Sequence, residues 1–181
     1  MNNILEQAQA IKNDIVEYRR TIHENPEVGD TLPKTKAYVI DKLKEFGYEP
    51  QEICESGVVA TISGKNPGKT FLLRADMDAL PVVEATECDF KSTNGSMHAC
   101  GHDMHTAMLL GAAKLLRENQ DDIEGTVKLV FQPDEEGFTG AKKMLAAGVL
   151  ENPHVDAAMA MHVHSGTPSN MVLCGLGTSI A

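Results

Sequence analysis

Apolar positions recur at helical spacing in the first part of the chain. Ile4, Ala8, Ile11, Ile15, Tyr18 and Ile22 lie three or four residues apart, the stripe that an amphipathic helix rests on a core. This pattern predicts a helix over residues 3–22. A second helix is predicted from Pro33, whose missing N–H costs nothing in a first turn, through Val39, Ile40, Leu43 and Phe46 to a stop at Gly47. The period then changes. Residues 58–63 and 70–74 are short, β-branched or leucine-rich runs separated by Gly64, Asn66, Pro67 and Gly68, which predicts two strands joined by a turn and paired antiparallel. A third helix is expected from a cap at Asp103 to Asn119, with Met108, Leu109, Ala112, Ala113 and Leu116 on its buried side. Residues 127–132 read as a buried strand, Thr139 or Gly140 opens a short helix that stops at Gly148, and residues 155–162 form another strand-length apolar run. Residues 171–181 begin a further strand-like segment. Helices alternating with strands imply an α/β fold with a largely parallel sheet flanked by helices.

Composition narrows the function classes. The 181 residues are 42% apolar and 23% charged, enough for a sizeable core without disulfides or metal to hold it. No apolar run approaches the roughly 18–20 residues of a membrane span. The first twenty residues interleave Glu6, Lys12, Asp14, Glu17, Arg19 and Arg20 with apolar positions, unlike a secretory signal, so a cytoplasmic protein is expected. Twenty-six acidic against sixteen basic residues give a net charge of −10, which repels nucleic acid and anionic lipid, and neither partner is expected. Cys54, Cys88, Cys100 and Cys174 contain no C-x-x-C pair, which argues against a zinc ribbon, a redox pair and a disulfide framework.

Metal-ligand residue types nevertheless gather in four places: Asp76 with Asp78, Cys100 with His102, Glu135 with Glu136, and His162. Each group follows a predicted strand or precedes a predicted helix. The carboxyl ends of parallel strands form the crevice where open α/β sheets bind ligands, so these groups can converge. Cys100 and His102 flank Gly101, and in extended backbone a spacing of two points both side chains the same way. The ordinary alternative is an inert buried cysteine with His98, His102 and His105 hydrogen-bonded around a turn. Three carboxylates, Asp134 to Glu136, directly follow an apolar strand, where neighbours point in different directions and divide the work of ligand and base. An acidic solvated loop would be the bland reading of the same run. A lone His162 closing a strand would ordinarily be a core residue; the other three groups favour a ligand.

Three motifs, Arg74-Ala-Asp-Met-Asp-Ala-Leu-Pro81, Met97-His-Ala-Cys-Gly-His-Asp103 and Phe131-Gln-Pro-Asp-Glu-Glu-Gly137, together resemble the M20 metallopeptidase family, in particular its amidohydrolase branch of hippurate, N-acyl-amino-acid and N-acetyldiaminopimelate hydrolases. Weaker matches at Arg19 to His23, Pro81 to Glu84 and Gly140 to Met144 extend the similarity over nearly the whole chain. The resemblance implies that Cys100, His102, Glu136 and His162 ligate two divalent ions (Zn, Mn, Ni or Co), with the Cys100 sulfur bridging. It also implies that Glu135 is the general base and that Asp78 orients a ligand. Asp76 is counted with Glu135 and Asp78 among the catalytic residues, although it stands where other branches carry a metal-binding histidine, and Phe138 and Thr139 replace glycines common after the glutamate pair. The implied activity is metal-dependent hydrolysis of the amide bond of small N-acyl amino acids.

Family members are two-domain proteins, and the resemblance implies that residues 1–181 are the N-terminal portion of the catalytic domain. The lid and dimerisation domain and the C-terminal catalytic segment are then absent, and a homodimer is expected only where the lid domain is present. Two alternatives stay open at this point: an inactive truncated metal-binding fragment, and a cysteine hydrolase with Cys100 as nucleophile and His102 or His105 as base.

Overall fold

The computed structural model describes residues 4–173. Five strands, β1 (Gln51–Ile53), β2 (Gly57–Ser63), β3 (Asn66–Asp76), β4 (Glu124–Gln132) and β5 (Ala157–Ala160), form one sheet in the order β1-β2-β4-β3-β5. The α/β architecture matches the expectation, and the pairing is mixed. β3 lies parallel to both β4 and β5, whereas β2 is antiparallel to both β1 and β4.

The segments at 58–63 and 70–74 are strands, as predicted, but not a paired hairpin. β4 lies between them, with Val58 opposite Phe131 on one side and Ala75 opposite Phe131 on the other. The reason is burial. β4 is covered on both faces: Leu129 and Phe131 point into one core and Val130 into a second, so an interior place hides the most apolar strand. Gly64 makes room for the insertion. A Cβ there would stand 1.7 Å from the Ile123 carbonyl oxygen, where the chain entering β4 passes closest.

The main core lies between the sheet and three helices, α2 (Lys12–His23), α3 (Pro33–Glu45) and α4 (His102–Glu118), while the preceding α1 (Ile4–Ala10) buries none of its residues. Tyr18, Val39, Leu43 and Leu110 from the helices meet Val58, Ala60, Ile62, Leu129 and Phe131 from the strands. Each large apolar side chain so buried contributes about 1.5–3 kcal/mol. The predicted first helix is broken at Ile11 into α1 and α2, and α3 begins at Pro33 as expected. On the opposite face α5 (Gly140–Ala146) packs Met144 over Leu72 and Val130. The Lys128 ammonium, buried beneath this smaller core, donates to the carbonyls of Val149, Glu151 and Pro153 and fixes the chain that leads into β5. The segment expected over 171–181 lies, from 174 onward and so including Cys174, outside the described residues. No helix among the described residues is long and apolar enough to cross a membrane.

Candidate metal centre

The parallel strands β3, β4 and β5 all run toward one edge, and their carboxyl ends deliver Asp76 and Asp78, Glu135 and Glu136, and His162 beside the first turn of α4. All four sequence-predicted groups meet there. Cys100 Sγ lies 3.5 Å from His162 Nε2, while His102 Nε2 lies 3.7 Å from Glu135 Oε2 and 3.9 Å from Glu136 Oε1. Three donor sets share His102, one with Cys100 and His162, one with Glu135 and Glu136, and one with Asp76 and His105.

The local geometry of Cys100 and His102 differs from the extended spacing expected. Gly101 occupies the cap position of α4 with φ of +89°, a left-handed conformation, so the chain turns between the two ligand candidates. A Cβ at this glycine would also meet Val163 Cγ2 at 2.4 Å, beside His162. Asp103 is not the cap. It sits in the helix's first turn, and its Oδ2 accepts hydrogen bonds from Arg19 Nε and His23 Nδ1.

Two imidazoles are set to present the same nitrogen. His102 Nδ1 lies 2.8 Å from the Asp78 carbonyl and His162 Nδ1 lies 2.6 Å from the Val163 carbonyl. A carbonyl oxygen only accepts, so each Nδ1 carries the proton and each Nε2 is left with a lone pair directed elsewhere. That is the arrangement of metal-ligating histidines, whose second nitrogen is held by a carbonyl or carboxylate. His102 Nε2 and Glu136 Oε1 are fully buried and have no hydrogen-bond partner, a costly condition that a cation would remove. Glu136 N–H donates to Asp78 Oδ2, which ties the glutamate pair to the same support.

Charge in the pocket points the same way. Burial, reinforced by Glu136, Glu135 and Asp76, pushes the Cys100 thiol up to about 11. A thiol so placed is a poor nucleophile, which counts against the cysteine-hydrolase alternative, yet thiolate, imidazole and carboxylates together suit a divalent cation that neutralises them. His102 is raised: burial alone would lower it, and the hydrogen bond to Asp78 with the charges of Asp76 and Asp78 overcomes that. Asp76 is lowered despite burial, through His105, His102 and Arg74.

Sequence reasoning missed how Asp76 is used. Its Oδ2 accepts from Arg74 at 2.8 Å and its Oδ1 from His105 at 2.6 Å. Arg74 reaches on to Gln132 Oε1 at the end of β4, and Thr106 donates to the Asp76 carbonyl. The three-residue spacing of His102 and His105, which places both on one helix face, was the available signal.

A second polar cluster lies on the other side of the α4 first turn. Buried His23 donates from Nδ1 to Asp103 at 2.8 Å and from Nε2 to Glu84 at 2.9 Å. Asp103, working against the effect of burial and joined by Glu84, raises His23 to about 9. Cys88 stands nearby, but an imidazole protonated on both nitrogens offers no lone pair to a metal.

Residues 72–177 match peptidase family M20/M25/M40. Thermostable carboxypeptidase 2 of Saccharolobus solfataricus is 45% identical over 185 residues, covering 96% of this chain and 47% of that protein. The N-acyl-L-amino acid amidohydrolase of Geobacillus stearothermophilus is 42% identical over 158 residues, covering 86% of this chain and 42% of its own length. Among solved structures, a dinuclear metal-binding peptidase of family M20 from Bacillus subtilis superposes with a TM-score of 0.84 at 39% identity, over 88% of this chain and 45% of that one. The chain thus spans about half the length of the relatives it matches.

Proposed function

The chain belongs to peptidase family M20/M25/M40, and on that premise we propose that it carries the metal-binding half of a site hydrolysing the amide bond of small N-acyl amino acids. The observation that carries this reading is the pair of buried, unpartnered atoms, His102 Nε2 and Glu136 Oε1, facing each other beside Cys100 and His162. The substrate class follows the relatives named for N-acyl amino acids.

Cys100 Sγ, His102 Nε2, Glu136 and His162 Nε2 would hold two divalent ions; thiolate and imidazole favour Zn, Ni or Co, and the carboxylates admit Mn. Bound there, the ions supply Lewis acidity toward a water and an amide carbonyl. The remaining work falls to side chains. Glu135, about a third exposed and adjacent to His102, takes the proton of the attacking water on a carboxylate oxygen and returns it to the departing amine nitrogen. Asp78 holds His102 through its carbonyl and Glu136 through its carboxylate, so both ligands keep their aim. Asp76 acts behind them, tying Arg74 and His105 together.

In a protein that carries this half together with the rest of the site, hydrolysis of N-acetyl and N-benzoyl amino acids should vanish with a chelator and return on adding metal. Glu135→Gln should lower turnover on the order of 10³-fold while leaving metal content unchanged. Turnover that survives chelation, or survives the glutamine substitution, would overturn the reading.

A further inference from the structure

His162 needs a support that its own strand does not provide. β5 is a four-residue edge strand, every one of its residues is exposed, and its pairing with β3 ends at Ala160. His162 lies two residues beyond that last rung. Among the described contacts, the hydrogen bond reaching this segment from α4 comes from Val163, whose N–H donates to His105 Nε2 at 3.0 Å. The His105 ring also meets the His162 ring edge to face, with centroids 4.6 Å apart.

The chemistry of His105 sets its protonation pattern. Nε2 accepts from a backbone N–H and therefore carries no proton. The ring proton then resides on Nδ1 and donates to Asp76 Oδ1 at 2.6 Å, a charge-assisted bond to a carboxylate that Arg74 keeps ionised from the other side. Both nitrogens are used, so His105 has no lone pair for a metal although it stands within reach of Asp76 and His102. Its ring is buried, and rotating it would break both bonds.

We propose that His105 is a positioning residue, a doubly bonded brace that joins the end of β3, through Asp76, to the Val163 backbone and so sets His162 Nε2 toward Cys100. This rests on the reading of His162 as a ligand and adds a residue that acts only through it. Asp76, by the same geometry, serves the brace and not the metal.

The test combines a measurement on the unaltered 181-residue chain with a zinc-affinity cycle. In metal-free protein, nitrogen NMR of the histidines should find His105 protonated on Nδ1 alone, with scalar coupling between Val163 N and His105 Nε2. A His105 protonated on Nε2 would overturn the proposal without any variant. For the cycle, Zn²⁺ affinity is read by competition with a chromophoric chelator in H105F, H105Q, H162A and H105F/H162A. His162→Ala should weaken zinc at least tenfold; no change there would sink the ligand reading itself. Given that loss, His105→Phe should also weaken zinc about tenfold, His105→Gln should recover most of it through its amide, and His105→Phe should cost nothing further once His162 is gone. Additive losses in the double variant, or full affinity in H105F, would contradict the brace while leaving His162 a ligand.

Discussion

Two polar clusters flank the first turn of α4, one on each side, and they are built on opposite terms. On the His23 side, both imidazole nitrogens and both Glu84 carboxylate oxygens are engaged, with Ser92 N–H donating to Glu84 Oε2 at 2.7 Å. On the His102 side, an imidazole nitrogen and a carboxylate oxygen are buried with no partner, while a thiol and further carboxylates crowd them. The first cluster pairs its carboxylates with cations of the chain itself, His23 and Arg19, and joins α2, α4 and the loop around Glu84, although Asp103 Oδ1 and both His98 nitrogens are buried there without partners. In the second, His102 Nε2 and Glu136 Oε1 face each other with no counterpart within the chain. Similar residue types therefore form closed ion pairs in one place and a candidate metal site in the other, and the pairing of charges separates the two where composition does not.

The largest effect should come from breaking the closed side. His23→Leu leaves Glu84 without its cation and Asp103 with Arg19 alone, and should cost about 4 kcal/mol of stability in denaturant titration. The next is its pH dependence. His23 faces Asp103, Glu84, the Phe90 ring and His98, the last kept uncharged near neutral pH because burial lowers it to about 4. A histidine raised from 6.5 to about 9 contributes stability that is fully present below pH 6.5 and lost as pH climbs through 9, roughly 3 kcal/mol in all. Seen from its partner, Glu84 is lowered to about 2, since the hydrogen bonds from His23, Thr86 and Ser92 outweigh burial. The same bridge is then fully present above pH 4.5 and lost as pH falls toward 2. Unfolding curves at fixed temperature from pH 2 to 10 check both limbs, and the basic limb should flatten in the His23→Leu variant.

The open side should respond with the reverse sign. Glu136→Gln removes one negative charge from a crowded pocket, so the metal-free chain should gain up to about 1 kcal/mol while zinc affinity falls at least tenfold. Melting with and without zinc separates the two. The smallest effect is expected at Cys88→Ser, which should change stability by less than about 0.5 kcal/mol and zinc affinity not at all, because His23 has no free nitrogen to share a cation with it.

The elements that positioned the site were legible because their signals are local. The helical stripe from Ile4 to Ile22, Pro33 at a first turn and the apolar run before Asp134 each follow from periodicity or a single residue's backbone preference. The place of β4 between β2 and β3 was not legible, since register with strands far away in sequence depends on which faces are buried and on a close approach at Gly64. Cys100, His102, Glu135, Glu136 and His162 were found as ligand-type residues at strand and helix ends. The roles of His23, Asp103 and His105 were hidden because each acts through a partner distant in sequence, Asp103 with His23 and His105 with Asp76 and Val163. Asp103 illustrates the point: its position suggests a helix cap, and a long-range imidazolium claims its carboxylate instead.

The most direct test is zinc K-edge absorption on the zinc-loaded chain. The expected result is a sulfur at about 2.3 Å together with nitrogen and oxygen ligands at about 2.0–2.1 Å, the sulfur shell vanishing in Cys100→Ser and persisting in Cys88→Ser. A sulfur shell that survives Cys100→Ser, or a zinc environment with no sulfur in the unaltered chain, would contradict a metal centre at the first turn of α4.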